Sequence, residues 1–201
     1  MIYFLIMAVG TAVVKYYDLP IVLSTLTFLW LICAIIRFRK NINILTICIG
    51  LLFIHSVETL AFRFIPTEIP IEKPAIWYAF AIYGTHLLVD IANTLFIIYR
   101  PHMLKLLIKN QVEKIHTISV DLALVNVFVL FICVDLLAII ENFIRNLEHL
   151  GVSETYAKQY WDWILIYKYY PDLKYILSGL LFVTLWFIAS RERNSEGNVS
   201  L

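Results

Sequence analysis

Charge is what this chain has least of. Asp, Glu, Lys and Arg make up 15% of its 201 residues, against about 25% in an ordinary soluble domain. Glycine and proline are scarce at six each, and cysteine appears three times. So few glycines and prolines exclude collagen-like and low-complexity chains, and so few cysteines exclude a disulfide scaffold. A formal net charge of +1 gives no basic field for DNA or RNA, so no nucleic-acid partner is indicated. Several catalytic and conduction motifs are also missing. There is no TVGYG potassium filter, no GxxxxGK[ST] phosphate loop, no HExxH zinc helix and no GxSxG nucleophile elbow.

Hydrocarbon is what the chain has in excess. Apolar residues reach 61% and the mean hydropathy is +0.81. A soluble fold of this size could not hide that much apolar surface, because over half of a folded surface is already apolar. The fold class expected is therefore an all-α, polytopic integral membrane helical bundle, with the lipid bilayer as its first partner. Cys33, Cys48 and Cys133 each lie in an apolar run with no CxxC spacing, and are read as reduced packing residues.

Runs of about 18 or more apolar residues mark the spans. Within a single transmembrane domain, 1–193, they fall at 19–36, 42–64, 75–99, 118–140 and 172–190. The third ends at Arg100-Pro101, where proline is expected to stop the helix. The fifth opens at Pro171, a favourable first helical position. The run 2–14 is shorter; it makes six spans if it crosses and five if it lies at the surface, and six is the expectation. Residues 101–114 read as a basic amphipathic helix whose Lys105, Lys109 and Lys114 face lipid headgroups. Residues 148–170 read as an interfacial segment with Tyr160, Trp161, Trp163 and Tyr167 in the aromatic belt. Residues 65–74 hold Pro66, Pro70 and Pro74 and read as a stiff turn, and 194–201 as a polar, disordered tail.

Orientation follows from the basic residues. Arg37, Arg39, Lys40, Arg100, Lys105, Lys109, Lys114, Arg191 and Arg193 collect on one side with few acids. On the other, Lys15, Lys73, Arg145, Lys158, Lys168 and Lys174 are offset by Asp18, Glu68, Glu72, Glu148, Glu154, Asp162 and Asp172. The positive-inside rule makes the first side cytoplasmic, with both termini there if six helices cross. In size and hydropathy alone the chain resembles small multi-pass bacterial proteins, membrane effectors of defence systems among them. That likeness implies a bacterial inner membrane.

The rare polar residues within the spans carry the functional expectation, because ionisable groups at that depth are costly. His55 and Glu58 are three apart on one helix face. Tyr83, His86, Asp90 and Asn93 form a stripe on the next span. Asp121 and Asp135, fourteen apart, share a face with Phe128 between them and Asn142 beyond. The pathway or polar-core candidates are therefore His55, Glu58, His86, Asp90, Asn93, Asp121 and Asp135. Asp90 is expected to lie deeper than Asp135. Three readings fit: paired groups that only satisfy one another, residues lining an aqueous or proton pathway, and a metal or acid–base site. No catalytic residue, metal set or cofactor is indicated. Ala8/Ala12 and Ala75/Ala79 offer small-xxx-small faces for close helix approach. The expected function is a homo-oligomeric channel or pore. The alternatives are a membrane-embedded enzyme using the His/carboxylate site and a proton-coupled small transporter.

Overall fold

The computed structural model describes residues 20–65, 75–108, 113 and 115–198. The expected span 2–14, the proline turn, Ala8/Ala12, Lys109 and Lys114 lie outside the described residues. Among the described residues every regular element is helical and no strand occurs. The helices are α1 (Pro20–Phe38), α2 (Ile42–Phe62), α3 (Ala75–Leu107), α4 (Ser119–Arg145), the single-turn α5 (Glu154–Ala157) and α6 (Leu165–Asn198). Among the described residues α2, α3, α4 and α6 are long and apolar enough to cross a membrane, and α1 holds a shorter apolar stretch, Ser24–Phe38. In hydrocarbon every backbone N–H and C=O must be satisfied within the chain, which only a helix does locally. The surface is apolar to match: Phe53, Leu88, Leu122 and Ile176 are all exposed.

Two helices run past the prolines expected to bound them. α3 continues through Pro101 to Leu107. Pro101 removes one backbone donor, but it is buried and the preceding Arg100 is fixed by tertiary hydrogen bonds, so packing outweighs the local penalty. Residues 101–107 are thus the end of α3 rather than a separate surface helix, and Lys105 is exposed on it. α6 begins at Leu165, six residues before Pro171. Its first turn is capped from another helix: the Glu141 carboxylate accepts from Ile166 N at 2.6 Å and Tyr167 N at 2.8 Å. These are donors that a helix start leaves without partners. The segment 148–170 is therefore not one interfacial helix. It is a 3₁₀ turn (Leu147–Leu150), α5, a second 3₁₀ turn (Lys158–Tyr160) and the start of α6. Trp161, Trp163 and Tyr167 are exposed, and Tyr160 packs edge-on against Trp163. At its far end α6 extends to Asn198, so most of the tail expected to be disordered is helical; no proline interrupts it.

The cap predicts a measurable loss. Glu141→Ala strands two donors at the start of α6, at about 1–3 kcal/mol. The melting temperature in detergent should fall by about 5 °C, with Glu141→Gln falling between the two. An unchanged transition for the alanine variant would deny the carboxylate this role.

Successive helices pack against one another. α1 lies on α2, α2 on α3, α3 on α4, and α4 on α6. The ring closes between α6 and α1 through aromatic contacts. Trp30 meets Phe182 at 4.7 Å and Trp186 at 6.3 Å between ring centroids, and Phe38 meets Trp186 edge-on at 5.6 Å. Arg37, Arg39, Lys40, Arg100 and Arg191 collect at one end of the bundle, here the basic end; the opposite, aromatic end carries Trp77 and the 147–167 connection. The main apolar core fills the half nearer the basic end, with Leu31, Ile44, Ile47, Leu124 and Leu185 among its buried members. At Gly50 α2 comes so close to α3 that an added Cβ would overlap the ring of Phe96.

Candidate functional site

The five long helices enclose a chamber of about 480 Å³ in the half nearer the aromatic end. Its walls are largely apolar. The ionisable and amide side chains in it come from α2 (His55, Glu58), α3 (His86, Asp90, Asn93) and α6 (Lys174), and hydroxyls are added by Ser24 and others from α1, α2 and α6. Each arrives by simple helix periodicity, since positions three or four apart lie above one another on one face. The α6 stripe Tyr170, Lys174, Ser178 follows the same rule.

Two hydrogen-bonded groups face this chamber. In the first, Glu58 lies between two imidazoles. Its Oε2 is 2.9 Å from His55 Nδ1, and its Oε1 is 3.0 Å from His86 Nδ1. His55 Nε2 meets the Ser24 hydroxyl at 3.2 Å. The Nδ1 proton of each ring is directed at the carboxylate, and Ser24 anchors His55 from the other ring nitrogen. Phe28 and Phe62 pack on the rings of His55 and His86, at 4.8 and 4.7 Å, which holds both imidazoles in place.

In the second group, Lys174 Nζ bridges two carboxylates. It lies 2.9 Å from Asp90 Oδ2 and 2.7 Å from Asp135 Oδ1. Asp135 is completely buried, and the Tyr170 hydroxyl also donates to its Oδ1, at 2.8 Å. The ammonium sits over the Phe131 ring at 4.8 Å and the Tyr170 ring at 5.6 Å. Two buried acceptors nearby have no hydrogen-bond partner: Asp135 Oδ2 and Asn93 Oδ1.

A third polar cluster sits at the basic end, outside the chamber. Arg100 is fully buried. It donates to Asp121 Oδ2 at 2.6 Å, to the carbonyls of Asn43 and His116 at 3.1 and 3.2 Å, and to Thr46 Oγ1 at 3.2 Å. Asp121 also accepts from Ile118 N at 2.9 Å, so it caps α4 while pairing with Arg100. The cluster ties α2, α3 and α4 together beside His116, three residues before α4 begins.

The sequence candidates divide accordingly. His55, Glu58, His86 and Asp90 meet in the chamber together with Asn93, and Asp135 joins them through Lys174. Asp121 does not; it belongs to the Arg100 cluster. The expected relative depth of Asp90 and Asp135 does not survive, since both contact the same nitrogen. His86 pairs with Glu58 on a neighbouring helix rather than with Asp90 one turn along its own. Tyr83 leaves the stripe to stack edge-on against Tyr170, at 4.8 Å. Ala79 packs inward beside Tyr83, Ala138 and Tyr170.

Lys174 and Arg100 went unrecognised as polar-core residues. Lys174 follows a run of tyrosines and Asp172, so a helix that begins at Pro171 puts it in the first turn, where it counts as a charge at the outer end of the span. Its position four residues after Tyr170 and four before Ser178 was the available signal. Arg100 directly precedes a proline and looks like the end of a span. Among the described residues, no three His, Cys, Asp or Glu side chains converge as a metal-binding set. Chemically, a carboxylate between two imidazoles can take up and hand on protons, and a lysine between two aspartates can exchange one cation for another. The chain matches no family model, no curated protein sequence and no solved structure.

Proposed function

We propose that this is a proton-linked transporter of small solutes, working through the chamber between its five long helices. The observation that carries the reading is the convergence of Glu58, Asp90, Asp135, Lys174 and two histidines, from four helices, on one cavity within the apolar belt. Ionisable groups at such depth line substrate and proton pathways in membrane proteins. Three carboxylates stand against the one ammonium of Lys174, with two imidazoles hydrogen-bonded to one of them, so the chamber favours a cation or a proton. The packed core and the Arg100 cluster close the bundle towards the basic end. That favours a carrier alternately open to each side over a continuous pore. One chain supplies the whole chamber, so the reading does not depend on a homo-oligomer. The positive-inside rule places the basic end in the cytoplasm, and we assign the protein to a bacterial inner membrane with the chamber opening outward.

Two measurements test this. With the native cysteines replaced, a single cysteine at Ser153 should react with an impermeant maleimide from outside intact cells, and one at Arg39 should not; the reverse pattern would invert the orientation. In proteoliposomes with a pH dye in the lumen, adding small cationic, anionic and neutral solutes in turn should give a lumenal pH change for one class. Asp90→Asn, Asp135→Asn and Glu58→Gln should each cut that rate at least about tenfold, the scale of losing a proton-transfer group. No pH response to any class above protein-free vesicles would remove the transport reading. A large response that ignores all three substitutions would move the pathway elsewhere.

A further inference from the structure

The bridge between Asp90 and Asp135 has the form of an ammonium-binding site whose occupant is the protein's own lysine. Two carboxylate oxygens lie 2.9 and 2.7 Å from Nζ, and two aromatic faces flank it. Carboxylates with aromatic faces are the recognised means of holding an organic cation, since the ring quadrupole attracts positive charge where water is excluded. The donors supplied do not use up the acceptors present. Asp135 Oδ2 is unpartnered, and so is Oδ1 of Asn93, which is only 7% exposed and lines the chamber. Unpartnered buried acceptors carry a desolvation penalty that an added N–H donor removes. The adjoining chamber of about 480 Å³ has room for an organic substituent, and its largely apolar wall suits a short hydrocarbon chain. A monovalent metal ion would gain little from such a wall.

We propose that the Asp90–Asp135 cradle binds the primary ammonium group of a small alkylamine, which takes the place of the Lys174 ammonium while its apolar part fills the chamber. Lys174 is then a tethered competitor. It holds the carboxylates neutralised when the cradle is empty of ligand and swings out of it when the amine enters. As a statement about cargo this rests on the transport reading above; as a statement about a binding site it does not, and the two are tested separately.

The first arm is chemical rescue in detergent. Lys174→Ala removes the tethered ammonium and leaves its space, and n-propylammonium restores the deleted atoms. The variant should melt several degrees below wild type. Propylammonium should raise its transition saturably by about 5 °C, while n-propanol and tetramethylammonium should not. Lys174→Gln, whose amide still donates to one carboxylate, keeps the test open if the alanine variant does not fold, and should respond in the same order. In either variant Asn93→Leu should weaken the rescue several-fold. The second arm is uptake of labelled propylammonium by wild-type proteoliposomes against an opposed proton gradient. Rescue with uptake supports both the site and the cargo. Rescue without uptake supports the site and overturns the amine as cargo. No rescue of either variant, in a protein that still moves protons with another solute, overturns the ammonium site and leaves the transport reading standing. Equal rescue by propanol would show filled volume rather than ammonium recognition, and would overturn the site as well.

Discussion

Arg100→Met should be the most damaging single substitution in the bundle. It keeps an unbranched apolar stem and removes every donor. Asp121 is left as a buried carboxylate without its cation, and the carbonyls of Asn43 and His116 each lose a partner. Breaking a buried pair from one side costs about 3–5 kcal/mol, a large share of the roughly 5–15 kcal/mol that holds a typical domain folded. We expect the melting temperature in detergent to fall by about 10 °C or more, and the yield of monodisperse protein to fall with it. Asp121→Asn in the same chain should recover more than half of the loss, because the amide oxygen can still cap Ile118 N while the unpaired charge is gone. If Arg100→Met melts within about 2 °C of wild type, the cluster does not hold α2, α3 and α4 together.

Gly50→Leu should come next. The ring of Phe96 occupies the space where any side chain at position 50 would begin, and Phe96 is packed against the main core, so it cannot simply swing away. Overpacking of this kind typically costs about 1–3 kcal/mol, and here α2 and α3 must also separate. That separation would widen the gap between Glu58 on α2 and His86 on α3, so the expected signature is double: a lower melting temperature and a loss of proton-linked flux. The pair Gly50→Ala with Phe96→Leu keeps the combined volume closer to the original and should restore most of both. A Gly50→Leu protein with wild-type stability and flux would show that the close approach is not needed.

The long apolar helices were legible because lipid imposes a strict pattern: about twenty apolar residues in a row, bounded by charge. The polar residues facing the chamber were legible for the complementary reason, that few ionisable groups occur in such runs at all. Helix limits at the two prolines were not. Pro101 and Pro171 carry a real local cost, and it is outweighed by contacts from distant residues, Arg100 with Asn43 and Asp121 in one case, Glu141 with the N–H groups of Ile166 and Tyr167 in the other. Spacing along a helix says which groups share a face, and so His55 and Glu58 could be paired. It does not say which face of the neighbouring helix comes opposite, and so the choice of Glu58 over Asp90 as the partner of His86 had no signal in the sequence. Lys174 is hidden by Pro171 in the same way, since starting α6 six residues earlier turns a charge in the first turn of the helix into a core one.

The charge partners are also spread along the chain in a particular order of synthesis. Arg100 on α3 is neutralised by a residue on α4, the next helix to be made. A lone arginine costs roughly 2.5–3.5 kcal/mol at the centre of a span and less towards its end, where Arg100 lies, and pairing with Asp121 still favours entry of α3 and α4 as a hairpin. Asp90 and Asp135 must wait longer, because their common counter-ion is on α6, the last helix of the bundle. Until α6 arrives, the nascent protein carries two buried carboxylates without a cation, and a chain that stops short of Lys174 keeps them. The charge balance of the chamber is thereby closed only when α6 docks.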